Sequence, residues 1–238
     1  MTPPDAEAPW PDDPKIPPLP EFDPDEMDDP FEPPDEAAIE EQNIRMLRRQ
    51  RLFRWAAQTI ANTCCVLPDV QRIAAFGAAA RPLIKEVPRY SKFRRRGIKV
   101  LHECADLDLA IWVSGFANLK PLKNAMSNGL AFVNDTPYGG VAHHQVDVHL
   151  IDFASGFYRG RLCIFGQCPK QGKVECRVPG CGQELFLQQF SEYHFSRGRF
   201  ESEKKVLLFD RANRFLVGFP TIDGRYRIER LPGNDVLF

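Results

Sequence analysis

The stretch CADLDLAIWV, residues 104–113, sets Asp106 and Asp108 two positions apart in a run that is otherwise mostly apolar. Burying a carboxylate costs several kcal/mol unless something pairs with it, so two of them in such a run call for an explanation. On an extended chain side chains alternate, which turns Leu107, Leu109 and Ile111 one way and both aspartates the other. A second alternating run, HHQVDVHLID, turns Val146, Val148 and Leu150 one way and Gln145, Asp147 and His149 the other. Asp106, Asp108 and Asp147 are therefore candidate ligands for a divalent cation. Carboxylate oxygens are hard donors that suit Mg2+, which keeps further positions for water and phosphate. Asp152 competes for the third place but falls on the strand face opposite Asp147. His102 shares the face of the first two acids and His149 that of the third; each reads first as a structural or surface histidine.

A different chemistry is written in CIFGQCPKQGKVECRVPGCG, where Cys163, Cys168, Cys176 and Cys181 stand at x4, x7 and x4 spacings among glycines and prolines. Four thiols in so loop-rich a stretch are poor core material and good ligands for a structural, tetrahedral Zn2+, with His194 an alternative to Cys163. Such an ion also contributes folding energy that a short segment lacks. Cys64, Cys65 and Cys104 read as buried apolar residues. Seven cysteines without an export signal point to reduced thiols and a cytoplasmic location. No run approaches the ~18 apolar residues of a membrane span, so no membrane partner is expected.

Composition divides the chain. Residues 1–36 hold 13 acids against the single Lys15 and 12 of the 21 prolines, a net charge of -12. This acidic, proline-rich tail has too little apolar surface to offset the entropy of ordering it, and is expected to be disordered. It is either a solubilising extension or an acidic cover for the rest, which carries 30 Lys or Arg against 19 acids, or +11. A body that basic attracts phosphates.

The elements that must position the acids follow in order. Ile39, Ile44, Leu47, Leu52, Phe53, Ala56 and Ile60 predict a helix from Asp35 to about residues 62–65, with acids early and arginines later as its dipole prefers. VQRIAAFG predicts a strand ending at Gly77, and AAARPLIKEV can open a helix after that turn, a junction that can hold phosphate. PRYSKFRRRG, residues 88–97, interleaves Arg89, Lys92, Arg94, Arg95 and Arg96 with Tyr90 and Phe93, as a phosphate-gripping patch or an exposed basic loop would. A strand is expected over 98–113 and a helix over 117–135 with Pro121 in its first turn. KVLLFDRANRFLVGF predicts a hairpin turning at Ala212-Asn213. The expected class is α+β, a small mixed or antiparallel sheet flanked by helices. A zinc-stapled loop module and a hairpin complete it, divided as 1–36, 37–158 and 159–238.

Over residues 40–155 the chain resembles the polymerase beta-type nucleotidyltransferase superfamily, including its minimal bacterial members. AFGA (Phe76, Gly77, Ala78) stands for the family's hydrophobic-Gly-Gly/Ser turn, with Ala78 where the family has its second glycine or serine, DLDL for its paired acids and QVDVHL for its third acid. The resemblance implies transfer of a nucleoside monophosphate from a nucleoside triphosphate to a hydroxyl acceptor, with Mg2+ as cofactor. Asp106 and Asp108 would hold the nucleotide-bound metal; Asp147 would complete a second metal and help deprotonate the acceptor. Gly77, Ala78, Arg81, Arg94 and Arg95 become candidate nucleotide-binding residues, and the segment around 88–97 resembles an insertion in the turn-to-acid connection. The acceptor is open; the basic residues Lys170, Lys173, Arg177, Arg197 and Arg199 would suit RNA or a protein. A second class stays open beside it, a catalytically inactive member of the fold that binds nucleic acid or a partner protein.

Overall fold

A computed structural model describes residues 34–88, 93–135, 140–168, 181, 184–188, 205–213, 215–220 and 226–230. Residues 1–33 of the acidic tail expected to be disordered lie outside them, as do Cys176, His194, Arg89, Tyr90 and Lys92, while its last two residues, Asp35 and Glu36, cap and open the first helix. Pro34–Phe238 makes one compact unit. Its elements are α1 (Glu36–Cys64), β1 (Val70–Phe76), β2 (Lys85–Glu86), β3 (Val100–Leu101), β4 (Leu107–Val113), α2 (Lys120–Asn134), β5 (Val146–Asp152), β6 (Tyr158–Leu162), β7 (Leu187–Gln188), β8 (Val206–Asp210), β9 (Phe215–Pro220) and β10 (Tyr226–Arg230). The class is α+β, as expected. Eight strands form one sheet in the order β10-β9-β8-β1-β4-β5-β6-β7, and β2 pairs with β3 separately. The sheet is mixed: β4 and β5 run parallel, while the other neighbours are antiparallel.

Alternation in the central strands divides the two sheet faces. Leu107, Leu109, Ile111, Val146, Val148 and Leu150 join Phe53, Ile60, Met126 and Leu130 of the two helices in one buried core. Phe76, Ala110 and Ile151, with Trp112, form a small separate cluster at the alternate positions. Helix α1 starts where Asp35 caps it, its carboxylate accepting from Ala38 N at 2.7 Å. Gly129 of α2 lets the helices close on each other, since a Cβ there would lie 2.9 Å from Thr63 Oγ1 and 3.0 Å from Ile60 Cα. No helix among the described residues is long and apolar enough to cross a membrane.

Several local expectations change. The stripe of α1 is mixed in its first half: Ile44 and Leu47 are exposed, while Asn43 and Gln50 are buried on either side of Met46, because that part of the helix also holds loops. Asn43 Oδ1 accepts from Leu101 N at 2.8 Å, and Gln50 Nε2 donates to the carbonyls of Ala78 and Arg81 at 2.8 and 2.7 Å. The last turn of α1 has no basic residue. A cation comes instead from the far end of the sequence, where Arg211 donates to the carbonyls of Cys65, Leu67 and Val70. The segment after Gly77 makes a 3-10 turn over Gly77–Ala79 and not a helix; Pro82 disfavours a helical Arg81. The strand expected over 98–113 is broken between β3 and β4. The boundary expected at residue 158 falls inside β6, and residues beyond it supply β7 to β10 of the same sheet. The hairpin around Ala212-Asn213 forms as β8 and β9.

Candidate metal centre

The parallel pairing of β4 with β5 puts Asp108 directly opposite Asp147. Both point away from the helix side, because Leu107, Leu109, Val146 and Val148 on either side of them are buried in the core. His149 follows Asp147 by two residues and shares its face. Asp108, Asp147 and His149 each offer a ligand atom within 4.8 Å of the others, a set that could hold a metal ion. The imidazole Nε2 stands 3.8 Å from Asp108 Oδ1. Its ring is fully buried, between Phe76 with centroids 5.3 Å apart and Tyr158 at 5.8 Å. Arg161, opposite His149 on β6, forms an ion pair with Asp147.

Gly77 abuts this set. Phe76, the last residue of β1, lies across from Asp108, and the chain then turns through Gly77 at φ +68°, a conformation that costs other residues ~1–2 kcal/mol. A Cβ at Gly77 would lie 2.5 Å from Asp108 Oδ2. Glycine is thus required twice, for the bend and for room beside the carboxylate. The bend is braced from α1: besides Gln50, Arg54 Nε donates to Ala79 O at 2.8 Å. Arg49 donates to Ala105 O at 3.1 Å, steadying the approach to β4.

Asp106 is not in the set. It is exposed and precedes β4, so the alternation that would have turned it with Asp108 does not extend to it. His149 takes the third place. The cue was in its spacing from Asp147, but a buried histidine in an alternating strand reads equally well as core. Asp152 ends β5 and holds the turn that follows, its Oδ1 accepting from Ser155 N at 2.7 Å and Oγ at 2.6 Å. His102 belongs to another group, with Nδ1 2.6 Å from Glu86 Oε1 and Nε2 3.3 Å from Arg81. Arg94 and Arg95 lie exposed in a 3-10 turn in the β2–β3 connection, behind the buried Phe93.

The cysteines differ in setting. Cys64, Cys65 and Cys104 are buried, and burial pushes the thiols of Cys64 and Cys104 up to about 12 and about 11. They are inert apolar fillers, as the sequence suggests. Cys163 and Cys168 receive hydrogen bonds on sulfur, from Gln188 Nε2 at 3.7 Å and Phe186 N at 3.3 Å. With Cys181 they carry no disulfide among the described residues. Phe186 adopts φ +67°, a conformation unusual for a bulky residue, and its carbonyl accepts from Cys163 N at 2.7 Å. Protein-family models, curated proteins and solved structures offer no match to this chain.

Proposed function

We propose that the chain is a divalent-metal-dependent nucleotidyltransferase that moves a nucleoside monophosphate from a nucleoside triphosphate to a hydroxyl acceptor. The observation that carries the reading is the opposition of Asp108 and Asp147 across the parallel pair, with the Gly77 bend against Asp108. The two carboxylates are suitable donors for Mg2+ and would hold it. Bound there, the ion would offset negative charge gathering on the phosphates during transfer. Arg161 adds a fixed positive charge beside Asp147, with a planar fork suited to phosphate oxygens. Gly77 and Ala78 would bring backbone close to the triphosphate, and Arg81, Arg94 and Arg95 are its candidate outer contacts. Asp106, exposed just before the site, is free to meet the incoming nucleotide rather than to anchor the resident ion. An RNA or protein acceptor is in keeping with the basic body.

Labelled nucleoside triphosphate with Mg2+ tests the reading. Asp108→Asn should cut transfer at least about a thousandfold, ~4 kcal/mol of transition-state stabilisation, with no loss of melting temperature. Equal transfer by both proteins rejects it.

The second reading, a catalytically inactive fold that binds nucleic acid or a protein, is favoured by the Arg161 pair on Asp147 and by Asp106 lying outside the set. It expects no transfer in either protein, with binding that weakens as salt rises. Separately, we propose a structural zinc held by Cys163, Cys168, Cys176 and Cys181. Elemental analysis should find one zinc per chain, and a folded, zinc-free protein refutes it.

A further inference from the structure

We infer that the centre formed by Asp108, Asp147 and His149 selects a first-row transition cation over Mg2+, with His149 as the selecting ligand. The inference rests on the proposal that Asp108 and Asp147 bind a cation, and goes beyond it in the ion's identity. At 3.8 Å, Nε2 of His149 and Oδ1 of Asp108 are too far apart for a hydrogen bond. They are near the separation of two donors that share one ion at ~2.1 Å each. The imidazole is wholly buried and fixed between Phe76 and Tyr158, so little freedom is left to lose when an ion arrives. Three ligand atoms already within 4.8 Å need only a small contraction.

The donor set decides the selectivity. Mg2+ takes oxygen ligands and gives up its waters reluctantly, so an aromatic nitrogen adds little to its binding. Imidazole suits transition ions, whose affinities for mixed nitrogen and oxygen sites rise from Mn2+ towards Cu2+. Mn2+ is the weakest of that series, so preference for it over Mg2+ is the stringent test. It is also the cleanest probe, because soft cysteine thiolates favour other metals. Three protein ligands leave positions for phosphate oxygens, as a catalytic centre requires.

The experiment adds Mn2+ to the full-length protein. Equilibrium binding should give a site that prefers Mn2+ to Mg2+ by more than about tenfold, and the pulsed electron-spin echo of bound Mn2+ should show modulation from a directly ligated 14N. His149→Gln, with its melting temperature checked, should remove the 14N modulation and most of the preference. Echo modulation lacking 14N in the wild-type protein overturns the inference without relying on any variant. If Asp108→Asn abolishes binding while His149→Gln leaves the ion preference unchanged, the inference fails and the carboxylate reading stands. If neither ion binds the wild-type protein, both fail.

Discussion

On the helix side of β4 and β5, Leu107, Leu109, Ile111, Val146, Val148 and Leu150 disappear into a core shared with α1 and α2. On the other side the intervening positions present Asp108, Asp147 and His149 to one another. The same two strands thus carry two kinds of specification. The apolar side is specified by volume and pattern, so that apolar side chains of similar size can replace one another there at little cost. The polar side depends on individual atoms: one bend at Gly77, one guanidinium on Asp147, one ring behind Asp108. Folding stability should track the first and ion binding the second.

The widest separation should come from Leu109→Ala. It should cost ~2–5 kcal/mol of stability by opening a core cavity, measured by urea unfolding, while cation affinity of the still-folded protein holds. Equal damage to both would erase the distinction. Gly77→Ala is the substitution that couples the sides. It should cost ~1–3 kcal/mol through the left-handed backbone and the collision with Asp108, and it should weaken cation binding, read by titration calorimetry. The smallest effect is expected at Asp152, outside the ligand set. Hydrogen bonds from the Ser155 hydroxyl and backbone hold its carboxyl below the ordinary 3.8. A depressed folded value gives stability that is present above 3.8 and lost as pH falls through the folded value. Asp152→Asn should therefore flatten the drop in melting temperature as pH falls below the ordinary 3.8, and leave cation binding as it was.

Much of this arrangement was legible because period-two alternation is local. Asp108, Asp147 and the buried valines and leucines beside them follow from it directly, and α1 and α2 follow from the equally local helical spacing of their apolar residues. What escaped was decided at long range. Asp106 looks equivalent to Asp108 until the strand is seen to begin at Leu107. His149 looks like core until Asp108 arrives from another strand. Asn43 and Gln50 lie outside the apolar spacing that predicts α1, and only the loops they hold explain their burial. The 159–238 segment looks separable by composition, yet Val206 and Leu207 pair with Ala75 and Ala74 of β1. Nothing within either segment announces that pairing.

That last pairing bears on how the protein is made. Strand β1 lies between β4 and β8, and β8 is separated from it by most of the chain. During synthesis β1 and β4 can meet early, but the other edge of β1 stays open until residues 206–211 have emerged, and Arg211 closes the end of α1 only then. Closing so large a loop is slow, and an unfilled strand edge invites pairing with other chains. The nascent protein therefore passes through an interval in which its cation ligands can assemble while its scaffold still has an adhesive edge, and chaperone demand should concentrate there.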